Sequence, residues 1–254
     1  MHIVMILWGV VCATPFYCCI LYFSVLKYNK WEEFYYMIKA EHISKRYKNT
    51  VLRDITFNVN KGECIGILGA NGCGKTTLLT IMAGVAHADG GKLFYENQSA
   101  LNNRRICSKY TGYVPQTNPL IEELTAGDNL KLWCKDIKSF LKREEIKRLG
   151  IEKYLNKTVS KLSGGMKRRI SIAIALVTKP PVLILDEPGT ALDLKGRAEI
   201  ADYLLSYVNE GGTVVMTTHL EAEIQLCTRL YMIKEGVLVP IDKTLSINEI
   251  SKLI

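Results

Sequence analysis

A glycine-rich stretch between an apolar run and a helix-like run constrains the fold of this chain more than any other feature. Residues 69–76, Gly-Ala-Asn-Gly-Cys-Gly-Lys-Thr, match the pattern G-x-x-x-x-G-K-[ST]. The apolar run 64–68 before them predicts a buried strand, and residues 76–83 predict a helix. Glycines let a loop curl until successive N–H groups point at one anion, and the helix N-terminus adds positive potential. The pattern therefore predicts a loop that binds the phosphates of a nucleotide; a chance glycine-rich turn is the alternative.

An acidic pair at the end of a second apolar run complements this loop. Residues 182–185 are all apolar, as in a strand buried on both faces of a parallel sheet, and Asp186 and Glu187 follow them. Ligand sites lie at the carboxyl ends of such strands. We expect Lys75 to reach the β- and γ-phosphates and Thr76 to ligate Mg²⁺. Asp186 is expected to hold the same Mg²⁺, and Glu187 to polarise the attacking water. The alternative is a helix cap, which Pro188 would support, but it is disfavoured because the loop is present.

The rest of the chain after Met37 has the pattern of an α/β protein. The alternation of apolar and polar residues over 55–59 predicts a half-buried strand, and residues 213–216 predict a buried one. Strands that alternate with helices imply a parallel sheet with right-handed crossovers. The stretch 123–175 lacks strand patterning and is predicted to be helical. One helix is predicted over 196–208, with these residues at core spacing: Ile200, Ala201, Leu204, Leu205 and Val208.

The N-terminal 36 residues differ from the rest of the chain. Residues 3–26 carry no charge over 24 positions, which is long enough to span a bilayer as one helix. Lys27 and Lys30 would place its C-terminal side in the cytosol, as a single-span anchor. The alternative, which the sequence favours slightly, is that the functional protein starts at Met37 and that residues 1–36 are dispensable. We therefore divide the chain into an apolar segment, 1–36, and one domain, 37–254.

The positive charge is concentrated in one stretch. Residues 135–169 hold twelve basic and four acidic side chains, and the resulting +8 equals the net charge of the whole chain. Nucleic-acid binding is one interpretation. The mixed signs and the lack of interleaved aromatic residues favour a face beside anionic lipid instead, so no nucleic-acid partner is expected. The eight cysteines form no CxxC pair, which argues against a zinc ribbon and fits a reducing compartment.

The motif 162–166, Leu-Ser-Gly-Gly-Met, resembles the signature of ATP-binding-cassette (ABC) ATPases, and other elements of that family follow the same order over residues 37–245. Tyr47 matches the aromatic residue that stacks on adenine, Gln116 the Q-loop glutamine, residues 191–193 the D-loop and His219 the switch histidine. The resemblance implies a P-loop NTPase core with a mostly parallel sheet, an antiparallel β subdomain, and a helical signature subdomain at about 117–175.

The resemblance also implies roles for individual residues. Glu187, His219 and Lys75 would be catalytic. Mg²⁺ would be held by Thr76, Gln116 and Asp186. Ser163, Gly164 and Gly165 would contact the ATP of an opposite cassette, and Asp193 would cross the dimer interface. ATP itself would be bound by the following residues: Tyr47, Gly69, Ala70, Asn71, Gly72, Cys73, Gly74, Lys75, Thr76 and Thr77.

The implied protein is the ATPase subunit of a transporter on the cytoplasmic face of the cell membrane. It would work as a homo- or heterodimer with ATP at the interface and with a separate membrane-spanning permease. Met166 followed by three basic residues resembles the export branch. Departures from the family pattern at Met166, Gly189, Thr190 and Ala191 remove no catalytic group. The alternatives are a cassette that acts on ribosomes or DNA, and one in a cofactor-assembly complex.

Overall fold

The structure, a computed structural model, describes residues 36–190, 192–245 and 249–250. The possible single-span anchor at residues 3–26, its alternative of a start at Met37, and the D-loop role of Ala191 concern residues outside these ranges and stay untested. In the described ranges, no helix combines the length and the apolar character needed to cross a membrane.

The described residues form one sheet of ten strands. Their order across the sheet is β5-β4-β1-β2-β10-β9-β3-β8-β7-β6. The strands are β1 (Ile38–Arg46), β2 (Thr50–Val59), β3 (Cys64–Leu68), β4 (Gly90–Tyr95), β5 (Gln98–Ser99), β6 (Thr111–Val114), β7 (Val182–Asp186), β8 (Thr213–Thr217), β9 (Arg229–Lys234) and β10 (Val237–Ile241).

Eight α-helices accompany the sheet in the described part of the chain. They are α1 (Lys75–Met82), α2 (Arg104–Tyr110), α3 (Ala126–Lys131), α4 (Ile137–Leu141), α5 (Glu144–Lys147), α6 (Gly164–Ala175), α7 (Leu194–Asn209) and α8 (Glu221–Leu226). Short 3₁₀ turns occupy Ile151–Tyr154 and Val159–Lys161. The helical interpretation of 123–175 is therefore confirmed.

The centre of the sheet is parallel and fully buried. Strands β6, β7, β8, β3 and β9 pair in parallel, and every residue of β3, β7 and β8 is buried. Burial on both faces explains why the interiors of these strands are apolar in sequence, with polar residues only at the ends of β7 and β8. By contrast, β2, β1, β4 and β5 pair antiparallel, and β2 alternates buried and exposed positions along its second half. The predicted division into a mostly parallel core and an antiparallel β subdomain is confirmed.

The helix predicted between two central strands is present as α7, but one core assignment was wrong. Ile200, Ala201 and Leu204 are buried, whereas Leu205 is 45% exposed. Tyr203 takes the core position instead, at 6% exposure. The buried stripe of the helix contains Ile200 and the residues three and four positions later, Tyr203 and Leu204. Leu205 lies outside this stripe, because each residue turns the helix by about 100°.

Candidate active site

The phosphate loop joins the buried end of β3 to the start of α1. Gly69, Gly72 and Gly74 all have positive φ, at 142°, 79° and 112°. At Gly74 an added Cβ would also lie 2.8 Å from Leu52 Cδ2, so the position requires glycine for two reasons. No side chain caps the N-terminus of α1. Its first N–H groups are therefore available to an anion, as a phosphate-binding loop requires.

Lys75 places its charge inside the curve of this loop. The side chain is buried, and Nζ donates to Gly69 O at 2.6 Å and to Ala70 O at 3.1 Å. A buried ammonium that is held only by carbonyl oxygens is well suited to a phosphate, because the phosphate would supply the missing negative charge.

The predicted magnesium ligands meet across two elements. Thr76 Oγ1, on α1, donates to Asp186 Oδ2 at 2.7 Å, and Asp186 is 1% exposed at the end of β7. A hydroxyl and a carboxylate oxygen are donors that Mg²⁺ prefers, so these two residues fit the ion. Gln116, the third predicted ligand, instead donates from Nε2 to Glu187 Oε2 at 3.0 Å. Its role as a Mg²⁺ ligand stays a prediction.

Glu187 is the residue on which the site converges. Besides Gln116, Thr190 Oγ1 donates to its Oε2 at 3.0 Å, and His219 Nε2 lies 3.9 Å from Oε1. Glu187 has a φ of 47° and is followed by a turn, not by a helix. The next helix, α7, starts at Leu194 and is capped by Asp193, whose Oδ1 accepts from Gly196 N at 2.8 Å. The alternative that Asp186 and Glu187 cap a helix was therefore wrong.

The surroundings of His219 favour its neutral form. Partial burial lowers the pKa of its imidazole, the Lys75 ammonium lowers it further, and the Glu187 carboxylate opposes both. The ring is then uncharged at neutral pH, with one nitrogen able to donate and the other able to accept a hydrogen bond. With a single N–H, the neutral ring can donate to one anionic oxygen, such as a phosphate oxygen.

The signature residues and the predicted adenine-stacking residue are accessible. Ser163 caps α6 by accepting from Met166 N at 3.3 Å, and both Ser163 and Gly164 are exposed. Met166 packs against the core, so methionine at this position fills space. Tyr47 is 57% exposed, with Lys45 Nζ 5.2 Å from its ring centroid. Each surface is free to meet a ligand or a partner.

The sequence analysis did not predict three residues that the structure places at the site. Thr217 donates to Asp186 Oδ1 at 2.5 Å and accepts from Glu187 N at 2.9 Å. Arg168 is 2% exposed and binds the Glu187 carbonyl, and Glu223 is 3% exposed beside the turn after Glu187. A signal existed for two of them. Thr217 directly follows the predicted buried strand 213–216, and Arg168 precedes Ile172 by one helical turn on the buried face of α6.

Comparison with known proteins identifies the family. The model of the family described as ABC transporter matches residues 52–190, more than half of the chain. The chain belongs to the ABC transporter family. The Nod factor export ATP-binding protein I of Burkholderia thailandensis is 36% identical to this ABC cassette, over 78% of the chain and 68% of the relative.

Solved ABC cassettes have the same fold. One is a dimeric cassette in a post-hydrolysis state bound to ADP and Pi, with 27% identity, a TM-score of 0.73, and coverage of 83% of this chain and all of that one. Another is CbiO1 of Clostridium perfringens, part of the ABC transporter complex CbiONQ. It is 30% identical with a TM-score of 0.72, and the match covers 80% of this chain and 87% of that one. This ABC cassette is the ATP-binding and ATP-hydrolysing subunit of a transporter, and such subunits are peripheral at the membrane.

Proposed function

We propose that residues 37–254 bind MgATP between two cassettes and hydrolyse it to power export through a separate membrane-spanning subunit. The observation that carries the proposal is the convergence of Gln116, Thr190 and His219 on Glu187, one residue after the Thr76–Asp186 pair. A carboxylate that is held by several side chains at the end of a parallel strand is suited to orient a water molecule.

The reaction follows from these positions. The loop N–H groups and Lys75 hold the β- and γ-phosphates, and Thr76 and Asp186 would hold Mg²⁺, which supplies charge neutralisation on the phosphate oxygens. Glu187 orients the attacking water and accepts its proton. Water attacks the γ-phosphorus, the bond to the bridging oxygen breaks, and ADP and inorganic phosphate leave. Neutral His219 donates to a γ-phosphate oxygen, where charge develops.

A second cassette would complete the site. Ser163 and Gly164 are exposed at the N-terminus of α6, a 12-residue helix whose positive end favours an anion. We infer that they bind the γ-phosphate of ATP held by the opposite cassette, with Asp193 at the same interface. ATP would then hold the two cassettes together until hydrolysis removes the shared phosphate.

An exposed apolar surface after Gln116 supports a membrane-spanning partner. Ile121, Leu132 and Trp133 are 46%, 59% and 66% exposed. Asn129 fixes Ile121 beside α3, because its side chain bonds both the N–H and the carbonyl of Ile121. Exposed large apolar groups mark interaction sites. Because the segment starts beside Gln116, which contacts Glu187, a partner bound here is placed to respond to the state of the nucleotide. Similarity to an export protein supports export as the direction.

Glu187→Gln tests the proposal. The amide keeps the size of the side chain but accepts no proton, so we expect ATP affinity within about threefold of the parent and kcat lower by about 10²- to 10⁴-fold. The measurements are a fluorescent-nucleotide titration and phosphate release by the full chain. Glu221→Gln is the matched control, because Glu221 is exposed on α8, and it should hydrolyse ATP at the parent rate. Parent-rate hydrolysis by Glu187→Gln would show that the assigned role is wrong.

A further inference from the structure

Arg168 occupies a position that the proposed mechanism does not use. It lies in α6, five residues after Ser163, and is among the largest fully buried side chains. Its Nη1 donates to Pro115 O at 2.6 Å, and its Nη2 donates to Gln116 O at 2.9 Å and to Glu187 O at 3.2 Å. One guanidinium thus joins the signature helix, the segment of Gln116 and the turn after β7 by three main-chain carbonyls.

Burying this charge is costly, and the structure offsets the cost locally. Burial lowers the pKa of Arg168, while the carboxylates of Glu223, Asp186 and Glu187 oppose the shift. An arginine remains protonated even so, and its planar fork donates to several acceptors at fixed angles. A leucine or methionine would fill the same volume without the desolvation cost, so the charge and the fork point to a role beyond packing.

The backbone conformation of Glu187 explains why the guanidinium of Arg168 is needed. A φ of 47° lies in the left-handed region, which is unfavourable for a residue with a side chain. Such a conformation persists only where its surroundings hold it. Thr217 Oγ1 holds the Glu187 N–H from one side, and Arg168, together with the Thr190 N–H, holds the Glu187 carbonyl from the other.

Glu223 supports the same turn from the far side. Its buried carboxylate accepts hydrogen bonds from the Thr218 hydroxyl, next to His219, and from the Gly189 N–H. An added Cβ at Gly189 would collide with Glu223 Oε1, so glycine rather than a larger residue fits there. Burial raises the pKa of Glu223, whereas the charges of Arg168 and Arg197 oppose that rise. Arg168 and Glu223 therefore form two ends of one buried polar network behind the catalytic carboxylate.

We propose that Arg168 is a positioning residue for ATP hydrolysis, which fixes Gln116 and Glu187 relative to each other through their main-chain carbonyls. The inference rests on the proposed role of Glu187. Arg168 touches neither nucleotide nor water in this scheme, and its effect is confined to the geometry of the step that Glu187 performs.

Arg168→Lys provides the test in the full chain. Lysine keeps the charge, but a single ammonium cannot reproduce a planar fork across three carbonyls. We expect kcat to fall by about 10- to 100-fold, with ATP Kd and KM within about threefold of the parent. Single-turnover hydrolysis of prebound ATP should fall by the same factor as kcat. Arg168→Gln, which keeps N–H donors without the charge, is the second variant.

The control and the readout separate positioning from folding. Lys167→Met alters the adjacent residue of α6, which forms a surface ion pair with Glu122, and should retain the parent kcat. Rates are expressed per bound nucleotide, so that loss of folded protein does not count as loss of catalysis. Unchanged kcat per bound nucleotide in Arg168→Lys and Arg168→Gln would overturn the inference, as would complete loss of nucleotide binding in both.

Glu187→Gln, assayed beside these variants, distinguishes the two proposals. If Glu187→Gln is inactive while Arg168→Lys turns over normally, the Arg168 inference alone fails. If Glu187→Gln hydrolyses ATP at the parent rate, the proposed function of the site fails first.

Discussion

Cys73 differs from the other cysteines of the described chain in its exposure. Cys64, Cys107, Cys134 and Cys227 are buried, whereas Cys73 is partly exposed within the phosphate loop. An alkyl group on its sulfur would occupy space that the phosphates need. We expect modification of Cys73 alone by N-ethylmaleimide to abolish ATP hydrolysis. ATP should slow the modification, because bound ATP covers the loop.

Cys73→Ser is the control for this thiol chemistry. Serine is close in size and should leave an active enzyme that resists the reagent. Peptide mapping locates the modified cysteine, including those at positions 12, 18 and 19 outside the described residues. Full activity after verified labelling of Cys73 would contradict the prediction.

The motif residues of the site could be predicted from the sequence. The residues that fix their positions could not. Lys75, Thr76, Asp186 and Glu187 belong to patterns in which spacing alone implies the chemistry. Arg168 is different, because its acceptors are the main-chain carbonyls of Pro115, Gln116 and Glu187. Every residue has such a carbonyl, so the sequence does not show which ones accept a hydrogen bond. Its burial could be inferred from the phase of its helix, but its partners depend on how three elements pack.

Strand β8 lies between the strands of the two nucleotide motifs, and this order matters for the site. Because β8 pairs with both β3 and β7, Thr217 at its end stands opposite Asp186. Periodicity indicated that residues 64–68, 182–185 and 213–216 are buried strands. It could not show that the last of these separates the other two, since strand order is set by the crossovers.

Thr217→Val should impair both the stability of the protein and its ATP hydrolysis. The change removes the donor to Asp186 Oδ1 and the acceptor of the Glu187 N–H, so we expect a loss of about 1–3 kcal/mol in the free energy of unfolding. It also removes one of the contacts that hold the Glu187 backbone, and we expect kcat to fall by about tenfold. Urea denaturation and steady-state phosphate release measure the two effects.

Thr213→Val is a matched control on the same strand. Thr213 is also fully buried, and its Oγ1 accepts from Gly62 N at 3.1 Å, at the end of β8 away from Asp186. Its stability loss should resemble that of Thr217→Val, while kcat stays within about threefold of the parent. Equal losses of kcat in the two variants would mean that Thr217 acts only through stability.

The basic stretch 135–169 presents less free charge than its composition suggests. Arg168 is buried, and several of the other cations have acidic partners, some of them outside the stretch. These ion pairs are Arg143–Glu145, Lys147–Glu144, Arg148–Glu210, Lys167–Glu122 and Arg169–Glu199. Composition cannot reveal such pairing, because the partners at 122, 199 and 210 are distant in sequence. The absence of a nucleic-acid partner stays a prediction.

At the scale of the whole molecule, we propose that the chain carries two half-sites. One is the phosphate loop with Asp186 and Glu187, and the other is the exposed start of α6. Within the described residues, the Ser163 hydroxyl bonds to its own helix at Met166 N, and no hydrogen bond joins it to residues 69–76. The known dimeric cassette bound to ADP and Pi, to which this chain is similar, supports completion of each site by a second copy or by a related cassette.

The dimer should therefore depend on bound nucleotide and be weak without it. In Glu187→Gln, bound ATP should accumulate, and we expect light scattering to report a dimer with MgATP and a monomer without nucleotide.

Ser163→Arg, placed in the Glu187→Gln background, should abolish that dimer, because the long side chain fills the space of the γ-phosphate contact. Its ATP affinity as a monomer should stay within about threefold, since the phosphate loop is untouched. Ser139→Arg adds the same group to an exposed serine of α4 and should leave the dimer intact. A dimer equally stable without ATP, or one that tolerates Ser163→Arg, would show that the shared γ-phosphate does not hold the two cassettes together.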